Sequence, residues 1–261
     1  MKNIILAQLI LTACAVLSAQ EKTLNSAADF TGNVKKISFK DNVMAVKGSA
    51  NLWGSQILDV TPDKVYYVSG EFRQTEGEKP VKVFLGFQPL DRKNRAITCS
   101  NVGAVKGTDT EVAEDCPKGS LQLKVKDASK WAAGGRRIFF HTDPEYKDLP
   151  NFNQIGNPIV SIDNQDGVWI VTFKTKLRVS LAKGTRVRQH LAGGSMYAAA
   201  GKPLRGEWQE FSGRAYGIRK EPGHSNRIFP VGTRKVKLIL FVSSGSQGSV
   251  SEIRNLTFDA E

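Results

Sequence analysis

The segment 186–190 (RVRQH) holds the densest group of side chains in this chain that could bind a ligand or transfer a proton. If it forms a strand, alternation places Arg186, Arg188 and His190 on one face. Two guanidinium groups beside an imidazole can bind a carboxylate or a sulfate group. Tyr197 follows soon after, beyond a flexible glycine pair. We predict a ligand-binding site here, with a solvated strand face as the alternative interpretation.

The same residues would also suit one kind of catalysis. β-Elimination from an anionic polysaccharide needs a base, often tyrosine or histidine, and a group that neutralises the sugar carboxylate. His190, Tyr197 and Arg188 could fill these roles in a polysaccharide lyase, although the chain lacks the strand signatures of alginate-lyase jelly rolls. No pair of carboxylates stands out as the acid and nucleophile of a glycosidase. Binding without catalysis is therefore favoured, and the lyase is kept as an alternative.

The four tryptophans offer flat apolar rings, on which the C–H faces of sugars can stack. Trp53, close to an asparagine and a glycine, and Trp131, before an alanine and glycine run, are predicted to be binding platforms. Trp169 lies inside an apolar run, and Trp208 occupies a position that looks like core in the sandwich family that the chain resembles. The last two are predicted to be buried.

Short alternating segments indicate that strands position these residues. The segment 66–73 alternates between apolar and polar positions with the period of a half-buried strand, and 235–258 contains two more strands around a serine and glycine turn. Polar turns are predicted at 75–80 and 163–167. Further strands are predicted at 43–47, 52–60, 64–73, 81–89, 121–126, 136–140, 158–162 and 168–173. The segment 174–206 has no clear assignment, but its polar and glycine-rich composition is typical of a binding loop.

The composition supports a single β-sandwich. The 261 residues are 40% hydrophobic and include 24 glycines, so the chain can bury a core and form many turns, and disorder is excluded. Beyond the first residues no segment has a helical period. One sandwich of about 200 to 250 residues is a more economical interpretation than two domains.

Residues 1–19 are predicted to be an export signal, since Lys2 precedes a mostly apolar run that ends at the small-residue site Leu17-Ser18-Ala19. The protein is therefore expected to be secreted or periplasmic. The apolar run is too short to indicate a membrane span. In an alternative interpretation Cys14 lies in a lipobox, and its lipidation would anchor the protein to the cell envelope.

Two cysteines remain after an export signal is removed. In an oxidising compartment a disulfide between Cys99 and Cys116 is their simplest use. A metal site or a nucleophilic thiol is less favoured, because no histidine lies near either residue in the sequence and their spacing is not that of a zinc site.

The net charge of +12 favours an acidic partner. The basic residues are concentrated late in the chain, beginning with Lys174, Lys176, Arg178 and Lys183. For an exported protein this charge suits an anionic polysaccharide, lipopolysaccharide or anionic lipid, and a solvated basic surface is the alternative interpretation. Extracellular nucleic acid is the least favoured partner, because no nucleic-acid-binding motif is present. A membrane is expected as a partner only if Cys14 is lipidated.

Several motifs resemble the family 4 and family 9 type of carbohydrate-binding module, a galactose-binding-like jelly roll. They are DKVY at 63–66, VSGEFR at 68–73, DRKNRAI at 91–97, WQEFSG at 208–213 and IRNLTF at 253–258. The resemblance covers the first third and the last fifth of the mature chain, and the middle departs from it as an insertion. It implies two antiparallel sheets that hold a glycan without cleaving it.

The resemblance also implies a structural calcium that joins the first and last strands. Asp29 and Asp259 would supply oxygen ligands if those strands pair. We therefore expect an all-β, antiparallel two-sheet jelly-roll sandwich over residues 20–261, with an inserted central segment. We expect it to be a secreted, non-catalytic carbohydrate-binding protein that prefers acidic polysaccharide. The alternatives are the lyase and a non-enzymatic envelope protein.

Overall fold

A computed structural model describes residues 23–243 and 248–261. The predicted export signal at 1–19 and the lipobox cysteine Cys14 lie outside the described residues. Within the described residues no helix combines the length and the apolar character needed to span a membrane.

Strands dominate the structure, at 49% of residues against 4% helix. Among residues 23–243 and 248–261 the helical elements are two short 3-10 turns and one four-residue helix: Ala27–Asp29, Val34–Lys36 and α1 (Cys99–Val102). The strands are β1 (Phe30–Gly32), β2 (Ile37–Lys40), β3 (Val43–Lys47), β4 (Ala50–Gly54), β5 (Leu58–Asp59), β6 (Val65–Glu76), β7 (Lys82–Leu90), β8 (Thr110–Glu111), β9 (Gln122–Val125), β10 (Arg136–Phe140), β11 (Gln154–Ile155), β12 (Ile159–Gln165), β13 (Val168–Phe173), β14 (Arg186–Leu191), β15 (Met196–Pro203), β16 (Gln209–Tyr216), β17 (Lys235–Ser243) and β18 (Val250–Ala260).

Two antiparallel sheets face each other across the main hydrophobic core. The front sheet has the order β16-β6-β18-β3-β2, and the back sheet has the order β1-β4-β17-β7-β15, with β5 also paired to β17. Strand β6 shows why they pack: Tyr66, Val68 and Phe72 are buried, while Tyr67 and Ser69 between them are partly exposed. The prediction of an all-β antiparallel sandwich is confirmed, and the jelly-roll connectivity stays a prediction.

Residues 91–195, here called the insert, connect two strands that are direct neighbours in the back sheet. Strands β7 and β15 pair from Met196 opposite Phe87 onward, so the insert leaves and re-enters at one place. It contains two further sheets, β11-β10-β14-β8 and β12-β13-β9. Its apolar side chains, including Leu123, Ile138 and Val171, form a second cluster separate from the main core. The structure thus has four sheets rather than two, and the insert has its own hydrophobic core.

Both ends of the insert are fastened where they meet the sandwich. The Ser195 hydroxyl donates to the Gln88 side-chain oxygen at 2.5 Å, and the Cys99 amide donates to the Gly194 carbonyl at 2.8 Å. The loop between β16 and β17 adds a contact, in which the Gly223 amide donates to the Val102 carbonyl at 2.9 Å. These bonds hold the insert against the end of the back sheet.

The predicted disulfide is wrong, because both cysteines are free. Cys99 begins α1 and packs against Gly193 at the base of the insert. Cys116 belongs to the hydrophobic core of the insert, where its sulfur lies 3.2 Å from the Gln122 carbonyl oxygen. Burial raises the pKa of both thiols.

Candidate functional site

The segment 186–190 forms strand β14 in the middle of the insert, and its polar side chains are largely buried. Arg188 and His190 have no exposed surface, whereas the Arg186 side chain is 41% exposed and lies 4.0 Å from the Glu111 carboxylate. The strand that the predicted site requires is present, but Arg188, Gln189 and His190 are buried in the interior of the insert rather than exposed at an open site.

Protein groups satisfy the Arg188 guanidinium on every side. One terminal nitrogen donates to Asp148 at 2.9 Å, the other to Asp109 at 3.3 Å, and Nε donates to His190 Nε2 at 3.1 Å. The Tyr146 ring lies 4.8 Å from the guanidinium carbon. A ligand anion would have to displace these partners, so the network serves the stability of the insert.

The His190 ring has no room to act on a substrate. Its Nδ1 lies 2.7 Å from the Ser100 carbonyl, and the ring stacks on Phe139 at 4.1 Å between centroids. Burial lowers the pKa of His190 to about 4, with the Arg188 charge acting in the same direction. The bond to Ser100 requires a proton on Nδ1, so Nε2 is the atom that accepts from Arg188. The ring is held neutral and enclosed.

Two of the predicted binding residues lie in one row on the outer face of the back sheet. Trp53 is opposite Ile239, Ile239 is opposite Gly86, and Gly86 is opposite Tyr197. Three strand spacings separate the rings, roughly 14 Å. Tyr197 packs edge-on against a phenylalanine of β7, and burial raises its pKa. Neither ring meets the Arg188 and His190 pair, so the structure divides the predicted site.

Trp131 has a structural position. It is 9% exposed, belongs to the core of the insert, and donates from its indole nitrogen to the Thr108 carbonyl at 2.8 Å. A ring held in this way offers no open face to a sugar.

The first and last strands do not pair, because β1 lies in the back sheet and β18 in the front sheet. The Asp29 carboxylate accepts from the Ser26 amide and hydroxyl at 3.0 and 2.8 Å, where it caps a short turn. Asp259 instead lies on the front sheet opposite Tyr67. Within the part of the chain that the structure describes, no group of three or more acidic, histidine or cysteine side chains could hold a metal ion. Calcium stays a prediction, without the strand pairing on which it depended.

A groove, here called the front groove, lies on the outer face of the front sheet. It has a volume of about 760 Å³ and lies over three neighbouring strands, β16, β6 and β18. A smaller hollow of about 290 Å³ continues it and shares Ser69 with it. The size is that of a small-molecule binding site.

Strand register arranges the front groove in successive rows of three. The first row is Arg214, Tyr67 and Asp259. The second is Ser212, Ser69 and Thr257, in which the two hydroxyls of Ser69 and Thr257 lie 2.8 Å apart. The third is Glu210, Glu71 and Arg254. Each row presents hydroxyl or charged groups beside the next, an arrangement suited to a ligand rich in hydroxyls.

Two aromatic rings mark the ends of the front groove. Tyr67 is partly exposed in the first row. Trp208, immediately before β16, has the Arg73 and Arg254 guanidinium carbons 4.5 and 4.3 Å from its ring centre. Six residues of β6 separate Tyr67 from Arg73, a distance of about 20 Å. Trp208 was predicted to be core, but it is only partly buried and lines the groove.

Ion pairs hold the Trp208 end of the front groove in place. Arg254 donates to Glu71 at 2.6 Å, and Arg73 forms a close ion pair with Glu252. Asn255 also donates to Glu71, at 2.6 Å. The bonds from Arg254 and Asn255 lower the pKa of Glu71. These side chains are therefore fixed before a ligand arrives, which reduces the entropy lost on binding.

The front groove differs in charge from the protein as a whole. Four carboxylates line it and the adjoining hollow, against one guanidinium group: Glu71, Glu210, Asp259 and Glu261 against Arg214. The ion pairs beside Trp208 add Glu252, Arg73 and Arg254, which makes five carboxylates against three guanidinium groups. The whole chain carries +12. The groove itself therefore does not favour a polyanion.

Models of known protein families give no match to this chain, and neither does a comparison with curated proteins. The resemblance to carbohydrate-binding modules therefore stays a prediction.

Proposed function

We propose that the protein is an exported carbohydrate-binding protein, and that its front groove binds a glycan without cleaving it. The observation that carries the proposal is the row of hydroxyl, amide and charged groups between the Tyr67 and Trp208 rings. Sugars combine apolar C–H faces with dense hydroxyls, and proteins meet them with aromatic rings flanked by such polar groups. Along β6 the lining runs from Tyr67 to Glu71, a length of about 13 Å that favours an oligosaccharide over a single sugar.

The charge of the groove favours a neutral glycan. An anionic chain laid along β6 would meet Glu71, Glu210 and Asp259, of which only Glu71 is neutralised by an arginine bond. The acidic preference expected from net charge is therefore not assigned to the front groove.

The arrangement of carboxylates supports binding rather than hydrolysis. Glu71 and Glu210 are opposite each other on β6 and β16, the closest such pair in the groove register. A glycosidase needs one of its two carboxyl groups to hold a proton near neutral pH. Glu71 is held ionised by Arg254 and Asn255, and Glu210 is exposed. Glu71 is therefore unsuited to the role of the proton-holding acid.

The lyase alternative has less support. Its three residues would have to meet one substrate, but Arg188 and His190 are enclosed in the insert and Tyr197 lies on the back sheet. Neither buried group could reach a sugar without disruption of the network around Asp148.

Affinity gel electrophoresis of the signal-free protein in neutral and acidic polysaccharides tests the proposal. We expect retardation by at least one neutral polysaccharide, and a roughly tenfold loss of affinity in Tyr67→Ala and in Trp208→Ala, the worth of one buried aromatic contact. Arg73 and Arg254 keep their carboxylate partners in Trp208→Ala, so the sheet should remain intact.

Two further variants locate the site. Tyr216→Ala is the matched control, because Tyr216 is an exposed tyrosine of β16 outside the groove, and it should bind normally. If Trp53→Ala were the only variant to lose binding, the glycan site would lie on the back sheet rather than in the front groove. Absence of retardation by every neutral glycan would refute the proposal, and ultraviolet absorbance from unsaturated uronate would revive the lyase.

A further inference from the structure

The insert contains a second cavity, which the front groove does not explain. It has a volume of about 310 Å³ and lies between the segment around β11 and the segment that follows β13. Gln154, Asn157, Thr175 and Arg178 contribute its polar lining, and Ile155 is among its apolar residues. This volume is at the lower end of the range for small-molecule sites, and it suits a ligand the size of one sugar.

The charge of this cavity is opposite to that of the front groove. Arg178 is the charged residue of its lining, and no carboxylate lines it. Among the described residues the Arg178 side chain has no ion-pair or hydrogen-bond partner, and neither do the exposed Lys174 and Lys176 side chains that precede it. Unlike Arg188, this arginine is open to solvent and free to accept an anion.

Hydrogen bonds fix a polar residue of the cavity lining, Asn157, against the segment that leads to Arg178. Asn157 is 9% exposed, and its amide nitrogen donates to the Thr175 carbonyl at 2.5 Å and to the Lys176 carbonyl at 2.8 Å. These bonds tie the two segments of the cavity together and fix the backbone that leads to Arg178. The planar guanidinium of an arginine favours bidentate contact with a carboxylate or a sulfate.

We propose that this cavity in the insert binds the carboxylate or sulfate group of an acidic sugar, with Arg178 as the anion-binding residue. The Gln154 amide and the Thr175 hydroxyl would contact sugar hydroxyls, and Ile155 would contact the apolar face of the ring. The site is independent of the front groove. It gives one residue of the basic segment 174–183, Arg178, the specific role of anion binding. Glucuronate and sulfated glucose share the chemistry that Arg178 recognises, and the experiment separates them.

Nuclear magnetic resonance titration of the labelled protein at low ionic strength tests the proposal, with D-glucuronate, D-glucose 6-sulfate, D-glucose and inorganic sulfate as probes. We expect one of the two charged sugars to give saturable shifts at the Gly156 and Thr175 amides. Glucose should give none there. Arg178→Gln should weaken the binding by about tenfold or more, the value of a hydrogen-bonded charge.

Two variants complete the design. Arg92→Gln removes an equal charge from an exposed arginine outside the cavity, and it should leave the affinity unchanged. Gly156→Leu should fill the cavity without a backbone clash, because a Cβ there would meet only the Gln154 amide nitrogen, at 3.8 Å. Thermal unfolding confirms that both variants fold.

Three results would overturn the proposal: no saturable shift with either charged sugar, equal affinity in Arg178→Gln, or inorganic sulfate binding as tightly as glucose 6-sulfate. Trp208→Ala separates the two sites. This variant should still bind the charged sugar even if it no longer binds a neutral glycan. The two proposed sites can therefore fail independently of each other.

Discussion

Acidification should destabilise the protein through His190. The folded state lowers the pKa of this histidine to about 4 from the ordinary value of 6.5, because burial disfavours the charged ring. Because the folded state keeps the ring neutral, the unfolded state binds this proton at a higher pH than the folded state does. Stability from His190 is therefore complete above about pH 7 and is lost as the pH falls from 6.5 toward 4.

The magnitude follows from the two pKa values. The full shift corresponds to about 3 kcal/mol, and linkage gives a loss of about 2 kcal/mol in the free energy of unfolding between pH 8 and pH 5. Asp109 acts in the opposite direction, since burial raises its pKa and a proton taken up there on acidification favours the folded state. The His190 contribution must therefore be isolated by a variant rather than read from the wild type alone.

Urea unfolding at pH 8 and pH 5, followed by the fluorescence of buried Trp131, provides the assay. His190→Gln has no titrating ring, so its stability should fall by about 2 kcal/mol less than that of the wild type over this interval. Asp109 is present in both proteins, and its effect cancels in the comparison. His141→Asn, a change at an exposed histidine, should behave like the wild type. Equal pH dependence in His190→Gln and the wild type would refute the reasoning.

Two further predictions concern packing and charge in the interior. Asp148→Asn should cost about 3 kcal/mol, because it leaves buried Arg188 with a weaker set of partners, whereas Glu145→Gln at an exposed ion pair should cost less than about 1 kcal/mol; chemical denaturation of both variants measures the difference. Gly213→Ala should cost about 1 to 3 kcal/mol, since its Cβ would lie 2.1 Å from the Ala198 Cβ where β16 meets β15, and Ala198→Gly in the same chain should recover most of the loss. No recovery in that double variant would contradict the packing argument.

The periodic strands were predictable because each carries its own pattern. Segments 43–47, 136–140 and 168–173 match β3, β10 and β13 to the residue. Strand β3 alternates between buried and more exposed side chains, whereas β10 is marked by a short apolar run, Ile138–Phe140. The segment 174–206 was not predictable in this way. It contains β14 and β15, and β14 buries arginine, glutamine and histidine. The partners of Arg188, Asp109 and Asp148, lie 79 and 40 residues away, so nothing local in the sequence signals its burial.

The site was harder to predict than the fold for a similar reason. The alternation of 66–73 correctly placed Tyr67, Ser69 and Glu71 on the wet face of a strand. What makes a groove of that face is its register with Arg214 and Asp259, which comes from strands far along the chain. Trp208 would have been assigned correctly only with knowledge that two arginines from other strands approach its ring.

The position of the insert explains how one chain can carry two surfaces of opposite charge. The insert leaves and returns through β7 and β15 of the back sheet, while the front groove lies on the outer face of the other sheet. The charge over Tyr67 and Trp208 is set by the five carboxylates and three arginines in and beside the groove. The positive residues of segment 174–178 belong to the insert instead. Net charge, a property of the whole chain, is consequently a poor guide to the local charge of the front groove.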